Sequence, residues 1–263
     1  MDGVPLQRRG LELLARAGEI DELDVTIFMP CRNEQGNVGR SLNEVMEAFK
    51  PYDYTYEIIV VDDASTDGSV AEITQFMKDN PDVRIVLKRN SRPLGVSYNL
   101  SDAALLGRGR YFQFISSAFQ NRRETIRQTL DQLGNADIII TYLHPDYRPA
   151  LRRRLSRLYN WLVNHISGYN ISHYHGTPLF RRVDVIRWHS YRTVGFYSDM
   201  ITRMLDEGVS YTEVPTAVHH REMGKSTALR TRNVISLLIG FSDILLRRFS
   251  KDRIPPRQVP PRR

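Results

Sequence analysis

The sequence predicts an α/β fold: a mostly parallel central sheet flanked by helices. Three observations predict it. Short apolar, β-rich runs alternate with amphipathic helical stretches from Asp24 to Thr141. The run Glu57-Ile58-Ile59-Val60-Val61 leads straight into Asp62-Asp63-Ala64-Ser65-Thr66-Asp67-Gly68-Ser69, the pattern of a buried parallel strand that ends at a polar loop before a helix. Strand, helix, strand at this spacing makes right-handed crossovers, and ligands of such sheets sit at the carboxyl edge. The end of the Glu57 strand is therefore the first candidate site.

Taken in order, residues 6–23 read as a short amphipathic helix ahead of the fold. Asp24 to Pro30 is a strand, ended by a proline that cannot continue the ladder. Cys31 to Asn37 is a polar loop, and Val38 to Phe49 a helix with Val38, Leu42, Val45, Met46 and Phe49 on one face. The pattern repeats after the Glu57 strand: a helix over Ser69–Met77, a strand over Arg84–Lys88, a helix over Val96–Leu106 and a strand over Tyr111–Ile115. A helix over Arg123–Leu133 and a strand over Ala136–Thr141 follow. Arg148 to Ile166 has Leu151, Leu155, Leu158 and Leu162 at spacings of four, three and four, with Trp161 beside them and Arg152, Arg153, Arg154 and Arg157 around them. That is a strongly basic amphipathic helix, suited to core packing or to a membrane surface. Strands near Leu179–Arg181 and Tyr211–Val214 flank a helix over Tyr197–Glu207, and a last apolar helix covers Val234–Leu246. The expected organisation is an N-terminal helical extension (1–23), one α/β domain (24–228), a C-terminal amphipathic helix (229–249) and a disordered basic tail (250–263).

A formal charge of +7 and a pI near 9.6 come largely from Arg148–Arg157 and Arg247–Arg263. Such clusters suit anionic lipid or phosphorylated substrates. Nucleic acid is not an expected partner, since no nucleic-acid-binding motif is present. No run reaches the roughly 20 apolar residues of a membrane span, and Met1 to Pro5 lacks the layout of a secretory signal. A cytoplasmic location follows, with peripheral contact at the membrane face. A single cysteine, Cys31, excludes an intramolecular disulfide framework. His173, His175, His189, His219 and His220 match no closed zinc spacing, so no metal site is expected from them.

Met29-Pro30-Cys31-Arg32-Asn33-Glu34, Val60 to Ser69, Arg89-Asn90 with Leu94-Gly95, the strand Phe112 to Ile115, Glu213-Val214-Pro215 and Arg221 to Ser226 stand in order along about Asp24 to Thr227. This ordered set resembles the family 2 glycosyltransferases of the GT-A fold, in particular the dolichol- or polyprenyl-phosphate mannosyltransferase and glucosyltransferase branch. The resemblance implies a nucleotide-diphospho-sugar site. Pro30, Arg32 and Glu34 would line the nucleoside pocket, with Asp62 or Asp63 on the base or ribose, where carboxylates accept hydrogen bonds from hydroxyl and N–H groups. Asp67 is expected to cap the next helix.

The sequence departs from the family where its members carry an Asp-x-Asp metal motif. The equivalent run is Phe114-Ile115-Ser116-Ser117-Ala118-Phe119-Gln120-Asn121, and no acidic residue occurs between Gly107 and Arg123. Ser116 and Ala118 are not usual ligands of a divalent cation. Ser116 remains a donor-contact candidate, and a magnesium or manganese ion would have only Asp63 and the donor diphosphate to hold it. Arg122, Arg123, Arg221 and Lys225 are the cations expected to neutralise the diphosphate instead. Ser172 takes another position that is acidic in the polyprenyl branch, which leaves Asp199 as the candidate general base, or simply as an acid at a helix start.

Two functions follow. One is a membrane-associated transferase moving a sugar from a nucleotide donor to a lipid phosphate or small-molecule acceptor, independent of the usual metal site. The other is a non-catalytic homologue that binds a nucleotide, a partner enzyme or a second copy of itself.

Overall fold

The computed structural model describes residues 22–146, 148–188, 196–217 and 231–248. The expected N-terminal helix before Glu22 and the basic tail lie outside the described residues. Seven strands form one sheet: β1 (Leu23–Cys31), β2 (Tyr56–Asp62), β3 (Ile85–Arg89), β4 (Gly109–Phe114), β5 (Ile138–Leu143), β6 (Leu179–Arg181) and β7 (Tyr211–Thr216), in the spatial order β3-β2-β1-β4-β6-β5-β7. The helices are α1 (Val38–Phe49), α2 (Ser69–Asp79), α3 (Val96–Leu106), α4 (Arg123–Leu130), α5 (Ala150–Ser167), α6 (Arg182–Trp188), α7 (Phe196–Asp206) and α8 (Thr231–Arg248).

β3, β2, β1 and β4 run parallel, as do β5 and β7. β6 is antiparallel to both of its neighbours, β4 and β5. All the parallel strands therefore end on one edge, and the loop that enters β6 lies on that edge too. The two-residue period of the strands sorts their side chains into two cores. Val25, Ile27, Met29, Ile58 and Val60 pack with Val38, Leu42, Val45 and Ile73 of α1 and α2. Phe28, Ile59, Val61 and Phe112 pack on the other face with Leu100 of α3, Val163 of α5, Val185 of α6 and Met200 of α7.

At the far edge, Glu57 is fully buried and accepts from Thr26 Oγ1 (2.8 Å), Arg84 Nε (2.9 Å) and Arg108 N (2.5 Å). A Cβ at Gly109 would run into the backbone of Val25 and Thr26, so only glycine lets β4 start this close to β1.

Most elements match the sequence reading to within a few residues. α6 does not, because a seven-residue run between two loops offers too little periodicity to be read. α5 forms as expected but faces the other way from ordinary core packing. Its buried residues are Asn160, Val163 and Ser167, while Leu151, Leu155, Leu158 and Trp161 are exposed.

Candidate active site

The loops after β1 and β2 are stitched together by side chains that accept from backbone N–H groups. Asn33 N donates to Ser65 Oγ (3.0 Å), and Thr66 N donates back to Asn33 Oδ1 (2.8 Å). Glu34 N donates to Ser69 Oγ (2.8 Å), Gln35 N to Asp67 Oδ2 (3.1 Å) and Gly68 N to Gln35 Oε1 (2.9 Å). Glu72 of α2 accepts from Gly36 N (2.6 Å) and Gly39 N (2.9 Å). Each loop thus supplies acceptors for the other's unpaired donors, the requirement that shapes any buried polar segment. Pro30, Arg32, Glu34, Asp62 and Asp63 are brought together on this platform. Arg32 is exposed, whereas Glu34, Asp62 and Asp63 are buried.

The two aspartates have different work. Asp63 accepts from Leu94 N (2.8 Å), Gly95 N (3.0 Å) and Asn90 Nδ2 (3.0 Å), so it folds the loop after β3 against the platform. Burial alone would raise its pKa, but these hydrogen bonds hold it below the usual value. Asp62 accepts from Ser65 N at 3.3 Å and faces Arg89 Nε at 4.0 Å. Asp67 accepts from Ser69 N (3.0 Å) and Ser69 Oγ (2.5 Å) at the start of α2. Burial pushes the Cys31 thiol up to about 12, which makes it a small apolar packing group and no nucleophile at neutral pH.

The loop after β4 carries Ser116, Ser117 and Asn121. Ser116 Oγ accepts from Ala118 N (3.2 Å), and Asn121 Oδ1 accepts from Ser116 N (3.1 Å). Ser117 Oγ donates to Pro30 O (2.6 Å), and Ser41 Oγ donates to Ser117 O (3.0 Å) and accepts from Phe119 N (2.9 Å). This is a tight hydroxyl-braced turn without a carboxylate. Among the described residues no three His, Cys, Asp or Glu side chains converge as a metal site would require. Asp63, the carboxylate expected to meet a cation, already accepts from three N–H donors.

Cations do gather here. The Arg122 and Arg40 guanidinium carbons lie 3.6 and 3.7 Å from the Phe119 ring centre. Two guanidiniums cannot share one face at that distance, so the ring is sandwiched between them. Arg40 was not legible as a site residue, since nothing in its helical context marks it. Arg123, expected at a phosphate, is committed elsewhere: its fork meets Glu44 at 2.8 and 3.2 Å and Glu47 at 3.5 Å, tying α4 to α1. Arg221 and Lys225 lie outside the described residues.

The other half of the edge is built from β5, the loop into β6, and α7. Thr177 N donates to Thr141 Oγ1 (2.8 Å), and a Cβ at Gly176 would collide with Thr141. Tyr159 OH and Ser198 Oγ share a hydrogen bond of 2.6 Å, and the Tyr159 ring stands edge-on to His175 at 5.2 Å. Burial drives His173 down to about 3 and His175 to about 4, so both rings are neutral near pH 7. Asp199 sits nearby on α7, yet both of its oxygens hold guanidiniums: Arg203 Nε at 2.9 Å and Arg247 Nη1 at 2.7 Å. Arg247 also donates to Thr202 Oγ1 (2.6 Å) and Asp206 Oδ2 (3.1 Å). The expected base is thus the tie that fastens α8 to α7.

A mostly parallel sheet with a braced two-loop platform at its carboxyl edge and cations at the neighbouring strand end has the layout of an open α/β ligand-binding fold. A family model described as glycosyl transferase family 2 matches residues 26–190, and the chain belongs to that family. The undecaprenyl-phosphate 4-deoxy-4-formamido-L-arabinose transferase of Pseudomonas fluorescens (strain Pf0-1) is 28% identical over 211 residues, 77% of this chain and 59% of the relative. The dodecaprenyl-phosphate galacturonate synthase of Rhizobium johnstonii is 24% identical over 173 residues, 64% of this chain and 50% of the relative. The chain spans about half the length of the curated relatives it matches. A Pyrobaculum calidifontis mannosyltransferase, solved with GDP-Man and Mn2+, superposes with a TM-score of 0.64 at 19% identity, covering 95% of this chain and 74% of that one. Glucosyl-3-phosphoglycerate synthase from Mycobacterium tuberculosis, solved with Mn2+, UDP and phosphoglyceric acid, gives 0.60 at 15% identity, covering 90% and 83%. These likenesses establish the GT-A fold.

Proposed function

We propose that the protein transfers a sugar from a nucleotide-diphospho-sugar to a polyprenyl-phosphate acceptor, at a membrane surface and without the usual metal site. The observation that supports this reading most is the platform of Pro30–Glu34 and Asp62–Asp63 at the carboxyl edge of a family 2 chain whose relatives are named polyprenyl-phosphate sugar transferases. In this reading Arg32, Glu34 and Asp62 meet the nucleoside, while Asp63 positions the loop around Leu94 and Gly95. The diphosphate lies toward Ser116, where Arg122 and Arg40 supply positive charge; Arg221 and Lys225 are further candidates. Fixed guanidiniums stabilise a departing diphosphate by the same electrostatics as a cation. Arg123 is left out because Glu44 and Glu47 occupy it.

Calorimetric titration with uridine and guanosine diphosphates, with and without manganese, tests the reading together with transfer to polyprenyl phosphate in EDTA. Metal-independent binding and transfer are expected. Binding that requires manganese overturns the metal-independent part, and absence of nucleotide binding overturns the site.

The second reading, a nucleotide-binding homologue without turnover, is favoured by one observation: Asp199 has both oxygens locked by Arg203 and Arg247. Nucleotide binding without transfer to any lipid acceptor would select it.

A further inference from the structure

α5 turns its apolar stripe outward. Leu151, Leu155, Leu158 and Trp161 are 65, 45, 53 and 59% exposed, and Leu246 on the neighbouring α8 is 70% exposed. At 3.6 residues per turn the leucines lie opposite Asn160, Val163 and Ser167, which face the core. Exposing this much leucine and tryptophan in one strip calls for a partner surface.

Charge selects the partner. From residue 147 to residue 183 the sequence holds no acidic residue, while Arg152, Arg153, Arg154 and Arg157 crowd the start of the helix; Arg148, before it, is paired with Asp146 at 2.8 Å. A second copy of the chain would set arginine against arginine, which costs several kcal/mol in order of magnitude. An anionic lipid surface accepts both the leucines and the arginines.

Beside the stripe, along the C-terminal half of α5, runs a groove of about 500 Å³ lined by Arg157, Asn160, Trp161, Asn164, His165 and Tyr169 among others. Its floor is braced. Asn164 Oδ1 accepts from Ile171 N (3.1 Å) and Tyr174 OH (2.7 Å), Asn164 Nδ2 donates to Ile171 O (2.9 Å), and Asn160 Nδ2 donates to Ser172 O (2.7 Å). Its rim is available for a ligand. Arg157 is exposed with no carboxylate partner among the described residues, and the Trp161 indole is stacked on His165 at 5.4 Å. Arginine, an indole at the polar–apolar boundary and a hydrogen-bonding floor suit a phosphate-bearing headgroup whose chains run into the adjacent apolar layer.

We propose that this groove is a headgroup site for an anionic phospholipid, with the phosphate at Arg157, the headgroup along Trp161 and His165, and the leucine stripe in the acyl layer. The proposal rests on the membrane-surface part of the function above and deepens it. The groove lies between α5 and the segment from Tyr169 to Ser172.

The test uses the full chain with Trp188→Phe, which leaves Trp161 as its one tryptophan. Emission is followed on titration with vesicles of phosphatidylcholine alone and of phosphatidylcholine with phosphatidylglycerol. A blue shift is expected with phosphatidylglycerol vesicles, and Arg157→Gln should weaken that binding about fivefold. Leu158→Ser should weaken binding to both vesicle types. Soluble short-chain phosphatidylglycerol should also shift the emission, whereas inorganic phosphate should not. Equal affinity for both vesicle types, or an Arg157→Gln variant that binds as the parent does, overturns the site. An equal response to inorganic phosphate overturns its lipid identity. Sugar transfer to a water-soluble phosphate acceptor, measured in parallel, separates the two readings. Transfer lost with lipid binding intact removes the enzymatic reading alone, and lipid binding lost with transfer intact removes this one alone.

Discussion

The two ends of the carboxyl edge are held by different chemistry. At β1 and β2, hydroxyls, amides and carboxylates of one loop accept backbone N–H groups of the facing loop, 32 to 36 residues away in sequence. At β5 and α7, buried neutral imidazoles and a guanidinium–carboxylate knot join elements far apart in sequence: Arg247 reaches Asp199, and Ser198 reaches Tyr159. The first kind of brace holds its shape at any pH that keeps aspartate ionised, while the second depends on keeping histidine neutral and ion pairs dry. A rigid β1–β2 end and a more conditional β5–α7 end would follow from this division.

The largest effect should come from cutting the knot. The side chains of Asp199 and Arg247 are only 4 and 15% exposed, so Asp199→Ala leaves Arg247 with Asp206 as its one carboxylate, frees the part-exposed Arg203, and should cost about 3–4 kcal/mol in urea unfolding. Stability kept with turnover lost would instead make Asp199 a chemical group. Next is Asp63→Ala, which strands three donors at the other end and should cost about 3 kcal/mol while weakening nucleotide binding more than tenfold. Should it leave both quantities untouched, the platform is not organised by Asp63.

Acid should separate the two ends. His173 is lowered by burial, then by His175 and Arg148, to about 3 from an ordinary 6.5. Between those values only the unfolded chain takes up the proton, so stability falls as pH drops below 6.5. From this one residue the loss should be about 2 kcal/mol by pH 5. Asp63 is shifted the same way from a lower start, so its contribution persists above the ordinary carboxylate range and is lost only on further acidification. Thermal melts at pH 7, 5 and 3.5 for the parent and His173→Gln check the order, and a slope between pH 7 and 5 that His173→Gln leaves unchanged would break it. The smallest effect is expected of Arg123→Ala. Its pair with Glu44 is partly exposed and screened, so a loss of about 1 kcal/mol and unchanged nucleotide affinity are expected.

The same division explains what the sequence disclosed. Val60 to Ser69 and Pro30 to Glu34 are local signals, apolar runs meeting turn and cap residues, and they were legible with their strands. The role of Asp63 as a loop organiser was not, because its partners Asn90, Leu94 and Gly95 come from another crossover. Arg40 beside Phe119, the Glu44 partner of Arg123 and the Arg247 clamp on Asp199 are contacts between distant elements with no periodicity to announce them. The outward leucines of α5 show the same limit: spacing reveals that a stripe exists, while only the packing of Asn160, Val163 and Ser167 reveals which side it faces.

β6 has a mechanical consequence. Among the described residues, Leu179, Phe180 and Arg181 form the one strand that hydrogen-bonds the β3-β2-β1-β4 block to the β5-β7 block. Within the sheet, relative sliding of the two blocks passes as shear through those three residues, beside the core that Phe112 shares with Ile138 and Tyr211. Pulled apart from Ile59 and Tyr211, the molecule should yield there first, and amide exchange under mild denaturant should set in at Leu179–Arg181 while β1 and β2 stay protected.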